Sequence, residues 1–293
     1  MQQSQPRLTD ARALAAHRAR VKGGTHIADA RFLHDEAIAE LQERLKDVNR
    51  SFTAPAIVTD FPTIWYDLIP SAQFFPVREV LDLKPGAHDL VVHAMGLHWA
   101  DDPVGQVVQC ARALAPDGLF LSAAFGGSTL TELRQALAQA EAQVMGGLSP
   151  RVAPMAEVRD MGALLQRAGL ALPVADTLRK TVTYPDAIAL MHDLRAMGET
   201  NALAERHKTI PPRALFPTAA AIYAESFPAQ ENRIQASFEF VFLTGWAPHE
   251  SQQTPLRPGA ATSRLADALG TTEFDEGANP VHDLPDDESL KQT

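Results

Sequence analysis

Asp60 closes a short apolar run, PAIVTD. A carboxylate at the end of a strand can bind an amino group or hydroxyls, or it can cap the turn into Phe61–Pro62. His98 and Trp99 follow a second apolar run, HDLVVHAM. There an imidazole can hold a polar group and an indole can stack, while a core tryptophan beside a hydrogen-bonded histidine would read the same. Phe125, Gly126 and Gly127 end a third run and lead to Ser128 at an expected helix start. Free backbone N–H groups at such a place attract an anion, or the chain simply makes a tight turn. Arg151 in SPRVAP and Arg195 in LMHDLRAMGE stand beside apolar surfaces, with Asp193, Glu199 and Glu250 as the available carboxylates. Pairing of Arg195 with Glu199 across one helical turn is the plainest expectation for those two. His249 and Glu250 are adjacent in GWAPHESQQ, which is not the His-Glu-x-x-His spacing of a helical metal site, and the other histidines are scattered. No metal site is expected and no catalytic residue is assigned, since a P-loop, a Gly-x-Ser-x-Gly elbow and a Cys-His pair are all missing.

The elements that must position these residues read as α/β. FLHDEAIAELQERLKDV places Ile38, Leu41, Leu45 and Val48 at helical spacing, with acids toward its start and bases toward its end. Strands are expected at 55–60, 88–95 and 117–127, the last opened by the Asp117–Gly118 turn. Between the last two, PVGQVVQCARAL carries an apolar helical face, giving strand, crossover helix, strand. Ser128 is the expected N-cap of a helix over TLTELRQALAQAEAQVM. Further helices are expected at MAEVRDMGALLQRAGL, PDAIALMHDLRAMGE and RALFPTAAAIYAESF, the last bent or delayed by Pro217. LALPVAD and KTVTYP read as a pair of edge strands, Pro173 limiting the first. Phe238, Phe240 and Phe242 alternate with Glu239, Val241 and Leu243, so this strand, apolar on both faces, belongs inside the sheet.

A chain of 293 residues can build one sizeable core. Its net charge of −10 disfavours broad binding to a nucleic-acid backbone. The single cysteine, Cys110, sits in an apolar run and reads as a buried small hydrophobe. No apolar leader and no window of membrane-spanning length is seen, so the neutral expectation is a cytoplasmic protein.

Several pieces carry a family resemblance in conserved order: HDLVVHAMGLHWADDP, LAPDGLFLSAAFGGSTLTELR, SPRVAP, DMGALLQRAG, LMHDLRAMGETNAL and LTGWAPHESQQTPLRPG. Over about two-thirds of its length the chain resembles the class I S-adenosylmethionine (SAM) methyltransferase-like family. Within it, the resemblance is to the group of the biotin-pathway malonyl-carrier-protein methyltransferase and the mitochondrial complex I assembly factor 5. The resemblance implies a Rossmann-like sheet and a loop of the form Asp-Leu-Gly-Cys-Gly-x-Gly after the first strand, whose glycines let the backbone approach SAM. APAIVTDFPTIWYDLIP stands there instead, and no glycine occurs between Gly24 and Gly86. The roughly thirty residues from Ile57 to Leu90 hold one crossover at about 1.5 Å per helical and 3.3 Å per strand residue.

The fold expected is therefore a truncated or degenerate Rossmann-like methyltransferase sheet flanked by helices. Residues 1–50 form an N-terminal arm and helix, residues 51–257 an α/β domain with a helical insertion around 186–227, and residues 258–293 a disordered acidic tail. The functional expectation is a non-catalytic protein-binding or assembly factor without family-type SAM binding, partnered by an active methyltransferase relative or a respiratory-complex subunit. The alternative is an atypical SAM-dependent methyltransferase or a protein-arginine hydroxylase related to complex I assembly. If SAM binds, Asp60, His98, Trp99, Phe125 and Gly126 would hold it. Arg151, Arg195, Glu199, His249 and Glu250 would form the substrate or partner surface.

Overall fold

The computed structural model describes residues 7–22 and 31–252. The expected acidic tail at 258–293 lies outside the described residues. Apolar runs bounded by turns form six strands: β1 (Pro55–Val58), β2 (Gln73–Phe75), β3 (His88–Ala94), β4 (Leu114–Phe125), β5 (Ala171–Tyr184) and β6 (Ile234–Trp246). They make one sheet in the order β2-β1-β3-β4-β6-β5. The pairs from β2 to β4 are parallel, and β6 runs antiparallel to both β4 and β5.

Helices cover both faces: α1 (Ala11–Lys22), α2 (Phe32–Val48), α3 (Pro62–Trp65), α4 (Pro103–Ala113), α5 (Thr131–Met145), α6 (Val158–Arg167), α7 (Ala187–Ala196) and α8 (Leu215–Ser226). The period of two along a strand sends alternate side chains to opposite faces, so each face has its own core. Ile57, Leu90, Leu121, Phe238, Phe240 and Phe242 pack on one side beneath α2, α5 and α8. Val58, Val91, Phe120, Val241 and Leu243 pack on the other beneath α4 and α6, together with Cys110. The result is a three-layer α/β/α arrangement. Each fully buried phenylalanine contributes about 2–3 kcal/mol by removal from water, which is why the Phe238–Phe242 strand lies inside the sheet.

The structure departs from the sequence reading in four places. The segments taken as two edge strands form one continuous strand, β5, because Pro173 falls in the register shift between Ala171 and Val174 on an edge that needs no donor there. The helix expected from Ser128 begins at Thr131 after a left-handed Leu130, and the Ser128 hydroxyl donates to Glu239 rather than capping. Residues 11–22, read as part of a loosely packed arm or a short helix, form a helix that is docked rather than loose, with Arg18 and Val21 buried. Between β1 and β3 the chain fits a four-residue helix and the three-residue β2, a strand that the proline-rich interval concealed.

Candidate functional site

Two cavities open beside the carboxyl ends of the strands, and Trp99 lines both. The first, about 400 Å³, lies where the parallel strands end, the place where ligands bind in open α/β sheets. It is lined by Asp60 after β1, by Val77, Arg78 and Glu79 after β2, and by Gly96 after β3. Asp60 receives a short charged hydrogen bond from Arg18 of α1 and accepts another from the Val77 N–H at 3.3 Å. Gly96 is required by close approach: a Cβ there would stand 2.9 Å from Val77 Cγ2 and 3.0 Å from His93 Cε1. His93 is fully buried, and burial lowers its pKa to about 4. As a neutral imidazole it donates from Nε2 to Gln106 Oε1 at 3.2 Å, and Gln106 in turn donates to the Arg78 carbonyl at 2.5 Å.

The second cavity, about 390 Å³, is walled mainly by apolar side chains, among them Phe125, Leu133, Met191 and Phe216. Glu199 enters it from the turn that ends α7, where Gly198 takes φ +81°. Its side chain is only 6% exposed. Glu199 Oε2 accepts from Trp99 Nε1 at 2.6 Å and from His98 Nε2 at 3.2 Å, while the Phe125 N–H lies 3.5 Å from His98 Nδ1. Burial alone would raise the Glu199 pKa, but the charge and hydrogen bond of His98, the charge of Arg18 and the Trp99 bond outweigh it and bring it down to about 2. Glu199 is thus a fixed negative charge in apolar surroundings.

The structure brings His98, Trp99, Phe125 and Glu199 together, with Asp60 in the adjoining cavity. Arg195 and Arg151 also line the second cavity. Glu199 does not pair with Arg195, because α7 ends at Ala196 and the carboxylate turns to Trp99 and His98. Arg151 is held by the buried Glu141 at 2.7 Å, and Glu141 also takes the Ser149 N–H and hydroxyl. Gly126 donates its N–H to the Glu239 carbonyl at 2.7 Å. The Glu239 carboxylate lies over the turn, bonded by Ser128 and Arg179, where an anion had been one option. His249 and Glu250 are exposed beyond β6 and line neither cavity. Among the described residues no group of three or more His, Cys, Asp and Glu residues is placed to hold a metal ion.

The sequence reading missed Arg18 and the His93–Gln106 pair. Leu14, Arg18 and Val21 do share one helical stripe, but one of three arginines on an alanine-rich helix announces nothing about the carboxylate it meets 42 positions along the chain.

The sheet has an antiparallel β6 and a cavity at its strand ends, and its relatives place this chain in the class I SAM methyltransferase-like family. Within it, the chain is 35% identical over 238 residues to the arginine-hydroxylase NDUFAF5, mitochondrial, of Rattus norvegicus, covering 81% of this chain and 66% of that protein. It is 35% identical over 190 residues to the malonyl-[acyl-carrier protein] O-methyltransferase of Xylella fastidiosa, covering 65% of this chain and 61% of that one. The chain spans two thirds or less of these relatives, and 43% of the Dictyostelium discoideum hydroxylase. The solved YcgJ protein of Bacillus subtilis aligns over 74% of this chain and 100% of its own at 12% identity and a TM-score of 0.45, a remote likeness. No family model matches the chain.

Two expectations fall with these findings. A protein that is not an enzyme is contradicted by relatives that are named arginine-hydroxylases and O-methyltransferases. A cytoplasmic protein is contradicted by hydroxylases that are named as mitochondrial. No helix among the described residues is long and apolar enough to cross a membrane.

Proposed function

We propose that the chain is an enzyme that acts on an arginine side chain of a partner protein, taken up in the Glu199 cavity. The observation that carries this reading is the ionised Glu199. One of its oxygens is engaged by Trp99 and His98, and the other has no hydrogen bond among the described residues. A guanidinium entering an apolar cavity needs such a partner, because an unpaired charge removed from water is costly. Of the two native cations on the cavity wall, Arg151 is already neutralised by Glu141 and Arg195 is exposed at the surface. Phe125 and Trp99 supply flat walls for the side-chain stem and the guanidinium plane. Hydroxylation, the reaction in the names of the relatives, replaces one C–H bond by C–OH. Dioxygen supplies the inserted oxygen atom and its second atom leaves as water, with two electrons and two protons from an external reductant, while these residues bind and orient the acceptor.

A second reading, methyl transfer, is favoured by the first cavity. The residues there fit SAM in kind: Glu79 offers a carboxylate, Asp60 anchors Arg18, and Arg18 brings a cation with two nitrogens that lack partners among the described residues. SAM bound there supplies an electrophilic methyl group. Trp99, lining both cavities, is the wall between cofactor side and acceptor side.

The test is mass spectrometry of arginine-containing peptides incubated with the full chain, in air with a reductant or with SAM. Gain of one oxygen atom supports hydroxylation and gain of a methylene supports methyl transfer. Either gain should vanish in Glu199→Gln. No modification, together with arginine-peptide binding that Glu199→Gln leaves unchanged, would overturn the assignment of this cavity.

A further inference from the structure

Most of the backbone donors in the turn after β1 are committed within the chain. Thr59 N–H goes to the Phe75 carbonyl at 2.8 Å, Phe61 N–H goes to Thr59 Oγ1 at 3.2 Å, and Pro62 has none. The Ile64 and Trp65 N–H groups both return to the Phe61 carbonyl. Four of the turn's N–H groups are thus committed to the chain itself, leaving those of Asp60 and Thr63, fewer donors than a glycine-rich loop presents.

Arg18 stands over the same turn. It lines the first cavity, its side chain is 4% exposed, and its guanidinium lies 5.9 Å from the Phe61 ring centroid. Nη1 bonds Asp60, but Nε and Nη2 have no hydrogen-bond partner among the described residues. Buried guanidinium nitrogens are seldom left unpaired, and such a group calls for a missing partner. The carboxylates nearby are already engaged. Asp60 is held by Arg18 and Val77, Asp101 accepts the Thr9 N–H at 2.8 Å, and Asp102 caps α4 through Gly105 at 2.8 Å. Glu79, the other acid of the wall, is exposed.

The helix that carries Arg18 is fixed to both cavities. Thr9 donates its hydroxyl to the Trp99 carbonyl at 2.8 Å, Asp10 N–H reaches the Ala202 carbonyl at 2.7 Å, and His17 Nδ1 lies 3.2 Å from the Thr200 carbonyl. Gly198 lets it approach: a Cβ there would lie 3.2 Å from Val21 and 3.5 Å from Arg18 Cγ.

We propose that Arg18 is the anion-binding residue of the first cavity, taking the carboxylate of an amino-acid-bearing nucleoside ligand on Nε and Nη2. On this assignment α1 replaces the backbone donors of a glycine-rich loop. The proposal rests on the reading of the first cavity as the cofactor side. The planar edge of a guanidinium matches a carboxylate in two-point fashion, which a lysine ammonium does not reproduce.

The experiment is isothermal titration of the full chain with S-adenosylhomocysteine and with 5′-methylthioadenosine, which keeps the nucleoside but lacks the amino-acid end. Arg18→Lys and Arg18→Gln, which leave Asp60 in place, are titrated beside the wild type. S-adenosylhomocysteine affinity is expected to fall about 10-fold or more in both variants, with 5′-methylthioadenosine affinity unchanged. Equal losses for the two ligands, or no loss for either, would overturn the role of Arg18 while leaving the cofactor cavity standing. Failure of the wild type to bind S-adenosylhomocysteine would overturn the cofactor reading and this proposal with it.

Discussion

The two ends of the sheet are built on different scales. β2 and β1 have three and four residues, while β4, β6 and β5 have 12, 13 and 14. The long strands carry the stacked phenylalanines and support the Glu199 cavity through Phe125 and Phe238. The short strands carry a cavity closed by a helix from elsewhere in the chain. A shortened sheet edge thus need not lose a binding cavity if another element brings the missing charge.

The largest effect expected to sharpen this contrast comes from Glu199→Ala. It leaves Trp99 and His98 without their shared acceptor and should cost about 3–5 kcal/mol in urea unfolding, as for breaking a buried pair. Retained stability would mean that the buried carboxylate is not the centre of the long-strand half. Next, Phe240→Ala should cost about 3–5 kcal/mol, whereas Phe75→Ala, in half-buried β2, should cost about 1 kcal/mol. Equal losses would erase the distinction between the two ends.

Acid should act first on the short-strand half. His34 and His93 are fully buried, and burial brings both pKa values down to about 4. Between about pH 4 and 6.5 the unfolded chain binds protons that the folded chain refuses, so stability rises with pH across that window. Moving from pH 7 to pH 5 should remove about 2 kcal/mol for each histidine. Thermal melts over that range check the sign, and hydrogen exchange at pH 5 should show β1 and β3 opening before β4 and β6. The smallest effect is expected from Arg31→Ala, which breaks surface pairs with Asp35 and Asp67 and should change stability by less than about 1 kcal/mol.

Legibility in the sequence follows the same division. The Phe238–Phe242 alternation and the crossover through Cys110 announced the central sheet, because burial on both faces leaves an apolar signature. His98, Trp99 and Phe125 were placed because they follow those strands. β2 carried too few residues between prolines to show a period. The Trp99–Glu199 bond spans 100 positions and Arg18–Asp60 spans 42, so neither leaves any local spacing to read. The absent glycines could not tell that α1 brings Arg18 to the first turn.

Cys110 offers a practical route to watching that helix. It is the chain's only cysteine, it is fully buried beneath the sheet, and burial pushes its thiol far up. Alkylating dyes, which need an accessible thiolate, should pass it by. A visible-wavelength fluorophore attached through Ala19→Cys, at an exposed position on α1, would then be the molecule's single dye, reporting on the helix without a second label elsewhere in the chain.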